Sequence, residues 1–143
     1  MPVKLPAKIG LGALAVLAVL QAFRVEHTNP PVTADLQAPL AVKEVLRRAC
    51  YDCHSNETRW PWYSYVAPTS WLLHYDVAAG RQALNFSDWA AFSPAEQSKQ
   101  RGEIVESIGE GEMPPWYVPM HPSARLSDAD RSTIEDWART TGP

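Results

Sequence analysis

The sequence predicts an all-α domain that follows a short apolar helix at the N-terminus. Apolar residues recur at helical spacing, as at Ile104, Val105 and Ile108. Helix-start signals occur in S-P-A-E at residues 93–96 and in S-D-A-D at residues 127–130, where a side chain can cap exposed backbone N–H groups. No strand pattern surrounds the two cysteines. A chain of 143 residues has room for one small domain.

The composition is that of a globular protein, with 45% hydrophobic and 20% charged residues. Lys4 and Lys8 are the only charged residues before residue 24, so the remainder carries 11 basic (13 − 2) and 16 acidic groups, a net charge of −5. This excess of acid argues against nucleic-acid binding. The six tryptophans suggest either a large flat group to pack against or an ordinary core.

Residues 1–23 are predicted to be a membrane segment. Lys4 and Lys8 precede an uncharged run from Ile9 to Phe23, which is mostly Leu, Ala and Val. The run is short for a span of about 20 residues, as in a signal peptide, but no clean A-x-A cleavage site follows it. We therefore expect an uncleaved anchor, with both lysines on the cytoplasmic side and the domain exported.

Residues 50–54 have the sequence C-Y-D-C-H, which is the C-x-x-C-H pattern of covalent haem c attachment. Cys50 and Cys53 can each form a thioether to a haem vinyl group, and His54 can give its imidazole to the iron. These are the only two cysteines in the chain. The motif therefore predicts one covalent haem with His54 as the proximal ligand.

Three other interpretations of the cysteine pair find less support. A structural zinc ion needs four ligands, and His54 would be only the third. A thioredoxin-like dithiol normally lies in a βαβ unit, but no strand pattern surrounds this pair. A disulfide across so short a separation would be strained.

Helices and loops are predicted for the rest of the chain. Residues 24–34 form a linker, since Pro30-Pro31 favours an extended chain, and His27 is expected to be solvated there. The first domain helix is predicted over residues 35–49, capped by Asp35, and delivers the cysteines. Later helices are predicted from Pro68 to about Leu84, from 94 to about 108, and from 127 to near 142. In the helix from Pro68 to about Leu84, the residues expected to face inward are Trp71, Leu72, Tyr75 and Val77. In the last helix they are Ile134 and Trp137.

Residues 55–66 form an aromatic-rich loop that is predicted to wall the haem. Arg59, Trp62 and Tyr63 could hydrogen-bond the haem propionates. The alternative for these residues is ordinary loop packing.

Met113 is the favoured distal ligand to the iron. Its thioether is a soft ligand found in electron-transfer cytochromes, and the following Pro114-Pro115 fixes the loop. Gly109 and Gly111 end the preceding helix. The alternatives for this ligand are Met120, His121 and His74.

The order of elements resembles that of class I cytochromes c. More narrowly, the chain resembles the bacterial haem-binding domain family of single-haem, membrane-anchored, cytochrome-like proteins. The resemblance covers nearly all of the chain after residue 23. Its motifs are H-T-N-P-P at 27–31, C-Y-D-C-H-S-N at 50–56, W-P-W-Y-S at 60–64, G-R at 80–81, L-N-F-S at 84–87 and G-E-M-P-P at 111–115. It implies a haem c protein of the bacterial envelope whose first and last domain helices cross near the haem, with Leu46 and Trp137 expected at that contact.

These expectations combine into a cytochrome c-like domain over residues 35–143 that holds one haem c and carries single electrons in the periplasm. Its partners would be the inner membrane and a redox protein of the envelope, to which carboxylates such as Glu112 could dock. The alternative function is a haem sensor or peroxidase-like enzyme with an open iron face, for which His121 is the nearby acid–base group. A haem-bearing subunit of a larger respiratory or sugar-oxidising complex is a third function, compatible with the first.

Overall fold

The described part of the chain is helical. A computed structural model describes residues 5–117 and 120–140, with side chains for 7–117 and 120–139. Its α-helices are α1 (Leu5–Leu20), α2 (Leu40–Ala49), α3 (Tyr51–His54), α4 (Thr69–Ala83), α5 (Pro94–Gly109) and α6 (Asp128–Thr140). No strand occurs in these residues beyond an isolated parallel bridge between Ala34 and Asp88. The all-α prediction is confirmed for the described residues.

The chain divides into two compact units. The first contains the described residues up to Thr28 together with Trp60–Asp76, and the second contains Asn29–Arg59 and the described residues from Val77 onward. Helix α4 contributes its first half to one unit and its second half to the other. The C-x-x-C-H motif and Met113 belong to the second unit.

The core of the second unit is built by α2, α5 and α6. Helix α6 packs against both α2 and α5. Leu46 and Ile134 are fully buried, and Trp137 belongs to the same apolar cluster. The expected contact between the first and last domain helices is therefore present, with Leu46 and Trp137 in the core that these helices share.

Helix α2 begins five residues later than predicted. Pro39 precedes it with φ −51° and ψ 146°, and a proline also disfavours helical geometry at the residue before it. Asp35 does not cap the helix; its carboxylate accepts hydrogen bonds from Lys43 at 2.6 Å and from the Tyr51 hydroxyl at 2.7 Å. The fully buried Leu36 lies outside the helix, with its N–H donated to Phe86 O.

The buried face of α4 differs from the predicted one. Leu72 and Tyr75 are exposed, whereas Leu73 and Val77 are buried. Only Val77 of the four predicted residues is buried, and Trp71 is half-buried. Apolar residues occur on several sides of this helix, so spacing alone did not identify the face that packs.

The predicted starts of α5 and α6 are confirmed. Ser93 N donates to Glu96 Oε2 at 2.7 Å, and Ser93 Oγ accepts from Glu96 N at 3.4 Å. Ser127 and Asp130 exchange the equivalent bonds at 2.8 and 3.2 Å. Gly111 follows α5 with φ +76°, a conformation that glycine adopts without steric strain. Helix α6 is described to Thr140, so its predicted end near residue 142 lies outside the described residues.

Several residues of the predicted linker, 24–34, make hydrogen bonds with residues 56–64. Asn29 Nδ2 donates to Thr58 O at 2.9 Å, and Pro31 O accepts from Asn56 Nδ2 at 2.8 Å. His27 was expected to be solvated, and this was wrong. Its ring packs against those of Trp60 and Tyr65, with centroids 4.5 and 4.3 Å away, and its Nε2 lies 2.8 Å from Ser64 O.

Helix α1 is apolar and exposed. Among residues 5–117 and 120–140, no helix combines the length and the hydropathy needed to cross a membrane. Directly after α1, Gln21 Oε1 accepts a hydrogen bond from Ala67 N at 3.0 Å, which connects this end of the helix to the rest of the first unit.

We expect Leu46→Ala to lower the free energy of unfolding by about 2–5 kcal/mol, because it opens a cavity in the core. Leu40→Ala is the matched control on the same helix. Leu40 is 75% exposed, so its loss should change the free energy by no more than about 0.5 kcal/mol. Urea denaturation followed by circular dichroism measures both. Equal effects of the two substitutions would contradict the packing of α2.

Candidate haem site

The C-x-x-C-H motif forms a helical turn directly after α2. Cys50 N donates to Leu46 O at 2.8 Å, and His54 N donates to Cys50 O at 2.9 Å. Ser55 ends the turn in extended geometry, and its hydroxyl donates to Tyr51 O at 2.8 Å. The prediction that the first domain helix delivers the cysteines is therefore confirmed.

The two cysteines are not joined by a disulfide. Both are partly buried. Burial, and to a lesser extent the neighbouring Cys53, raises the pKa of Cys50 to about 12, so Cys50 is a neutral thiol at pH 7. Within the described ranges, no three His, Cys, Asp or Glu side chains converge as ligands of a metal ion, so Cys50, Cys53 and His54 do not form such a group.

The imidazole of His54 is oriented by a backbone carbonyl. Its Nδ1 lies 3.1 Å from Leu84 O. Because a carbonyl oxygen can only accept, Nδ1 carries the proton, and the lone pair of the neutral ring is on Nε2. Burial lowers the pKa of His54, against the opposing effect of hydrogen bonds to the backbone of Leu84 and Gly80. A neutral histidine whose second nitrogen donates to a carbonyl is the usual form of a histidine metal ligand.

Helix α4 approaches the motif closely at Gly80. A Cβ atom at this position would lie 2.7 Å from Cys53 O, a distance that real Cβ atoms do not tolerate. The next residue, Arg81, holds the chain that follows the motif. Its Nε donates to Ser55 O at 2.7 Å, and its Nη2 donates to Thr58 Oγ1 at 2.8 Å. A side chain at position 80 would therefore push α4 away from the cysteines.

Asp52, between the two cysteines, is a centre of hydrogen bonds. Arg59 donates to its Oδ1 from Nε and to its Oδ2 from a terminal nitrogen, both at 3.0 Å, and His121 Nε2 lies 3.2 Å from Oδ2. Burial favours a higher pKa for Asp52, but the hydrogen bonds from His121 and Arg59 outweigh it, so the pKa is lowered. Asp52 is therefore a buried carboxylate that binds both Arg59 and His121, which are far apart in the sequence.

These contacts bear on two of the predicted site residues. Arg59, expected at the haem propionates, directs its guanidinium to Asp52. His121, an alternative ligand to Met113, directs Nε2 to the same carboxylate. Their proposed roles toward a haem stay predictions.

Met113 follows α5 in the same unit as His54. Its N–H donates to Ser107 O at 3.1 Å, which fixes the backbone just after Gly111. Its side chain is 39% exposed, and that of Met120 is 51% exposed. The thioether of Met113 is thus accessible on the surface of the second unit, and its ligation of iron stays a prediction.

The remaining predicted residues lie in the first unit. Trp62 is exposed and its ring meets that of Tyr63 edge-on at 5.7 Å. His74 is exposed, with Nδ1 3.1 Å from Glu26 O. Trp60, which was not chosen as a site residue, has a buried indole N–H with no partner among the described atoms. Its place in the W-P-W-Y-S motif was the only sequence signal that could have identified it.

The donor set fits a haem attached through C-x-x-C-H. Two cysteines that are not paired with each other flank one helical turn, and the next residue is a neutral imidazole with an oriented Nε2 lone pair. Gly80 and Leu84, which maintain this arrangement, were part of the resemblance but were not predicted as site residues. No periodicity or capping rule would have identified them, since their roles are a close backbone approach and a carbonyl acceptor.

We expect Gly80→Ala to destabilise the protein by about 1–3 kcal/mol, the usual cost of overpacking, and to reduce the amount of haem bound per chain. Gly102→Ala is the matched control, because a Cβ atom there meets no atom within 4 Å and alanine favours a helix by up to about 1 kcal/mol over glycine. Denaturation curves and haem-to-protein absorbance ratios measure both effects. If the two variants behaved alike, the close approach of α4 to Cys53 would be wrong.

Comparison with known proteins identifies the family. Neither the curated proteins nor the solved structures contain a significant match to this chain. A family model described as a haem-binding domain matches residues 15–140, which include the C-x-x-C-H turn, the second half of α4 and Met113. The match covers most of the chain and agrees with the donor set described above. This protein therefore belongs to the haem-binding domain family.

Proposed function

We propose that this haem-binding protein is a c-type cytochrome that carries single electrons. The observation that carries the proposal is the hydrogen bond from His54 Nδ1 to Leu84 O. His54 directly follows Cys53, and Cys50 and Cys53 do not form a disulfide. Cys50 and Cys53 would hold one haem covalently, and His54 would ligate its iron. A haem bound in this way supplies a one-electron couple between ferrous and ferric iron.

Met113 would complete the coordination of the iron. Gly111 turns the chain after α5, and the Ser107 carbonyl holds the backbone N–H of Met113. A thioether and an imidazole can ligate both oxidation states, so the residues around the iron need little rearrangement during electron transfer. Such a site favours a carrier over an enzyme.

The alternative of a peroxidase-like enzyme or open haem sensor gains little from His121. That histidine is the acid–base group which the alternative requires, and its Nε2 faces the carboxylate of Asp52 at 3.2 Å. Because Nε2 is engaged by Asp52, this nitrogen of His121 is not available to act on a separate bound molecule. The carrier therefore stays our preferred function.

We further propose that residues 1–23 anchor the protein to the inner membrane and that the haem domain lies in the periplasm. The support is the basic flank at Lys4 and Lys8 and the exposed apolar surface of α1. A redox protein of the envelope would be the electron partner. Its docking site would involve the negative charge of the chain after residue 23, and Glu112 is one exposed carboxylate there.

We expect the haem to be covalently attached when the protein is produced with a cytochrome c maturation system. After denaturation, acidified organic solvent should leave the haem with the polypeptide, because two thioether bonds hold it. Cys50→Ala or Cys53→Ala should weaken or abolish attachment, whereas Met113→Ala should leave it intact. Extraction of the wild-type haem into the solvent would refute the c-type assignment.

We expect Met113→Ala to abolish the far-red absorption band of sulfur-ligated ferric haem and to lower the reduction potential, because loss of the thioether favours the ferric state. The variant should also bind carbon monoxide, since its iron has lost a ligand. Met120→Ala is the control and should match the wild type in all three measurements. A wild type without this band that binds carbon monoxide readily would contradict Met113 ligation and favour an open site.

A further inference from the structure

The first observation concerns the surface of α1. Six apolar residues of this helix are each at least 45% exposed: Ile9, Leu11, Leu14, Val16, Leu17 and Val19. At 3.6 residues per turn, these positions are distributed around the whole circumference of the helix. A helix that is apolar on every side requires an apolar environment, and the anchoring proposed above supplies one.

The second observation is the length of this helix. Its 16 residues extend about 24 Å at 1.5 Å per residue, whereas the hydrocarbon core of a bilayer is about 30 Å thick. A short anchor is accommodated by thinning the bilayer and by drawing the adjoining residues toward the membrane. The residues attached to the end of α1 are therefore the ones that meet the lipid interface.

The third observation is what the end of α1 holds. The Gln21 side chain donates to Tyr65 O and accepts from Ala67 N. Trp71 Nε1 donates to Phe23 O at 2.8 Å. These bonds attach the Trp60–Tyr75 segment to the chain directly after α1.

The fourth observation is the chemistry of that segment. Residues 60–75 contain no Asp, Glu, Lys or Arg. Apolar and aromatic side chains of the segment nevertheless lie on the surface, and we call them the aromatic surface: Trp62 (77% exposed), Tyr65 (55%), Val66 (44%), Leu72 (40%) and Tyr75 (69%). Tryptophan and tyrosine are enriched where a membrane meets water, because each ring has an apolar body and a polar atom.

The geometry points to a second membrane contact: the aromatic surface lies in the interfacial layer of the bilayer that α1 enters. This inference rests on the proposed anchoring and is independent of how the haem is held. Arg24 supplies a positive charge at the same end of α1, where with Gln21 and His27 it lines a cavity of about 420 Å³. Lipid phosphates carry the opposite charge at this depth. The first unit is therefore a membrane-seating unit, and α1 is only part of it.

The attachment of the aromatic surface to the end of α1 favours lipid as its occupant. A redox partner or a second copy of the chain could also cover exposed aromatic side chains. Neither would account for the hydrogen bonds that join this surface to the end of α1, whose 16 described residues extend less than the thickness of the hydrocarbon core. Either alternative would leave the aromatic surface without lipid adducts in the test.

The test places the full haem-loaded chain in nanodiscs of phosphatidylethanolamine and phosphatidylglycerol, at one copy per disc. A phospholipid with a photoreactive diazirine near its glycerol is included. After irradiation and digestion, mass spectrometry locates the lipid adducts. We expect adducts on peptides from α1 and also on peptides from residues 60–76. One copy per disc excludes a second chain, and no redox partner is present.

A matched pair of variants tests the chemistry of the contact. Trp62→Phe with Tyr65→Phe keeps the rings and should retain the adducts on residues 60–76. Trp62→Glu with Tyr65→Glu introduces two charges at exposed positions and should remove most of these adducts while those on α1 remain. Because the Tyr65 ring also packs against His27, circular dichroism must show that this variant is folded like the wild type.

Three results would overturn the inference. Wild-type adducts confined to α1 would show that the aromatic surface is left for a protein partner. Undiminished labelling of the glutamate variant would show that these side chains do not make the contact. Absence of adducts on α1 itself would refute the anchor as well. A haem that proved to be non-covalent would refute the proposed cytochrome without affecting any of these measurements.

Discussion

The orientation of one imidazole ring constrains much of the second unit. His54 can present Nε2 to an iron atom only while its Nδ1–H is held by an acceptor, and that acceptor is the carbonyl of Leu84 at 3.1 Å. The carbonyl is in place because α4 ends one residue earlier and because the chain then returns to donate Phe86 N to His54 O at 2.8 Å. The position of the ring therefore depends on two contacts of His54 with the backbone of residues 84–86, one through its side chain and one through its carbonyl oxygen.

Helix α4 contributes residues to both units. Its second half carries Gly80, which lets the backbone approach the cysteine turn, and Arg81, which binds the chain after it. Its first half belongs to the unit that contains α1 and the aromatic surface. A single helix thus contributes to the two proposed activities, membrane seating and haem binding. Neither unit is formed by a continuous stretch of sequence.

Local signals in the sequence predicted local structure. The capping boxes placed the starts of α5 and α6, and the spacing of Ile134 and Trp137 identified the buried face of α6. The start of α2 was missed because the extended geometry at Pro39 prevailed over the cap suggested by Asp35. The face of α4 was missed because its apolar residues are not confined to one side. Gly80 and Leu84 act through backbone atoms brought together from distant positions, and no local pattern encodes such contacts.

Asp52 changes how the C-x-x-C-H motif should be regarded in this chain. The C-x-x-C-H pattern leaves the two residues between the cysteines unspecified. Here one of them is a buried carboxylate that receives Arg59 and His121 from separate regions of the chain. A graft that kept only the cysteines and the histidine would lose these attachments. Transfer of this motif therefore requires Asp52, Arg59 and His121 to move as a set.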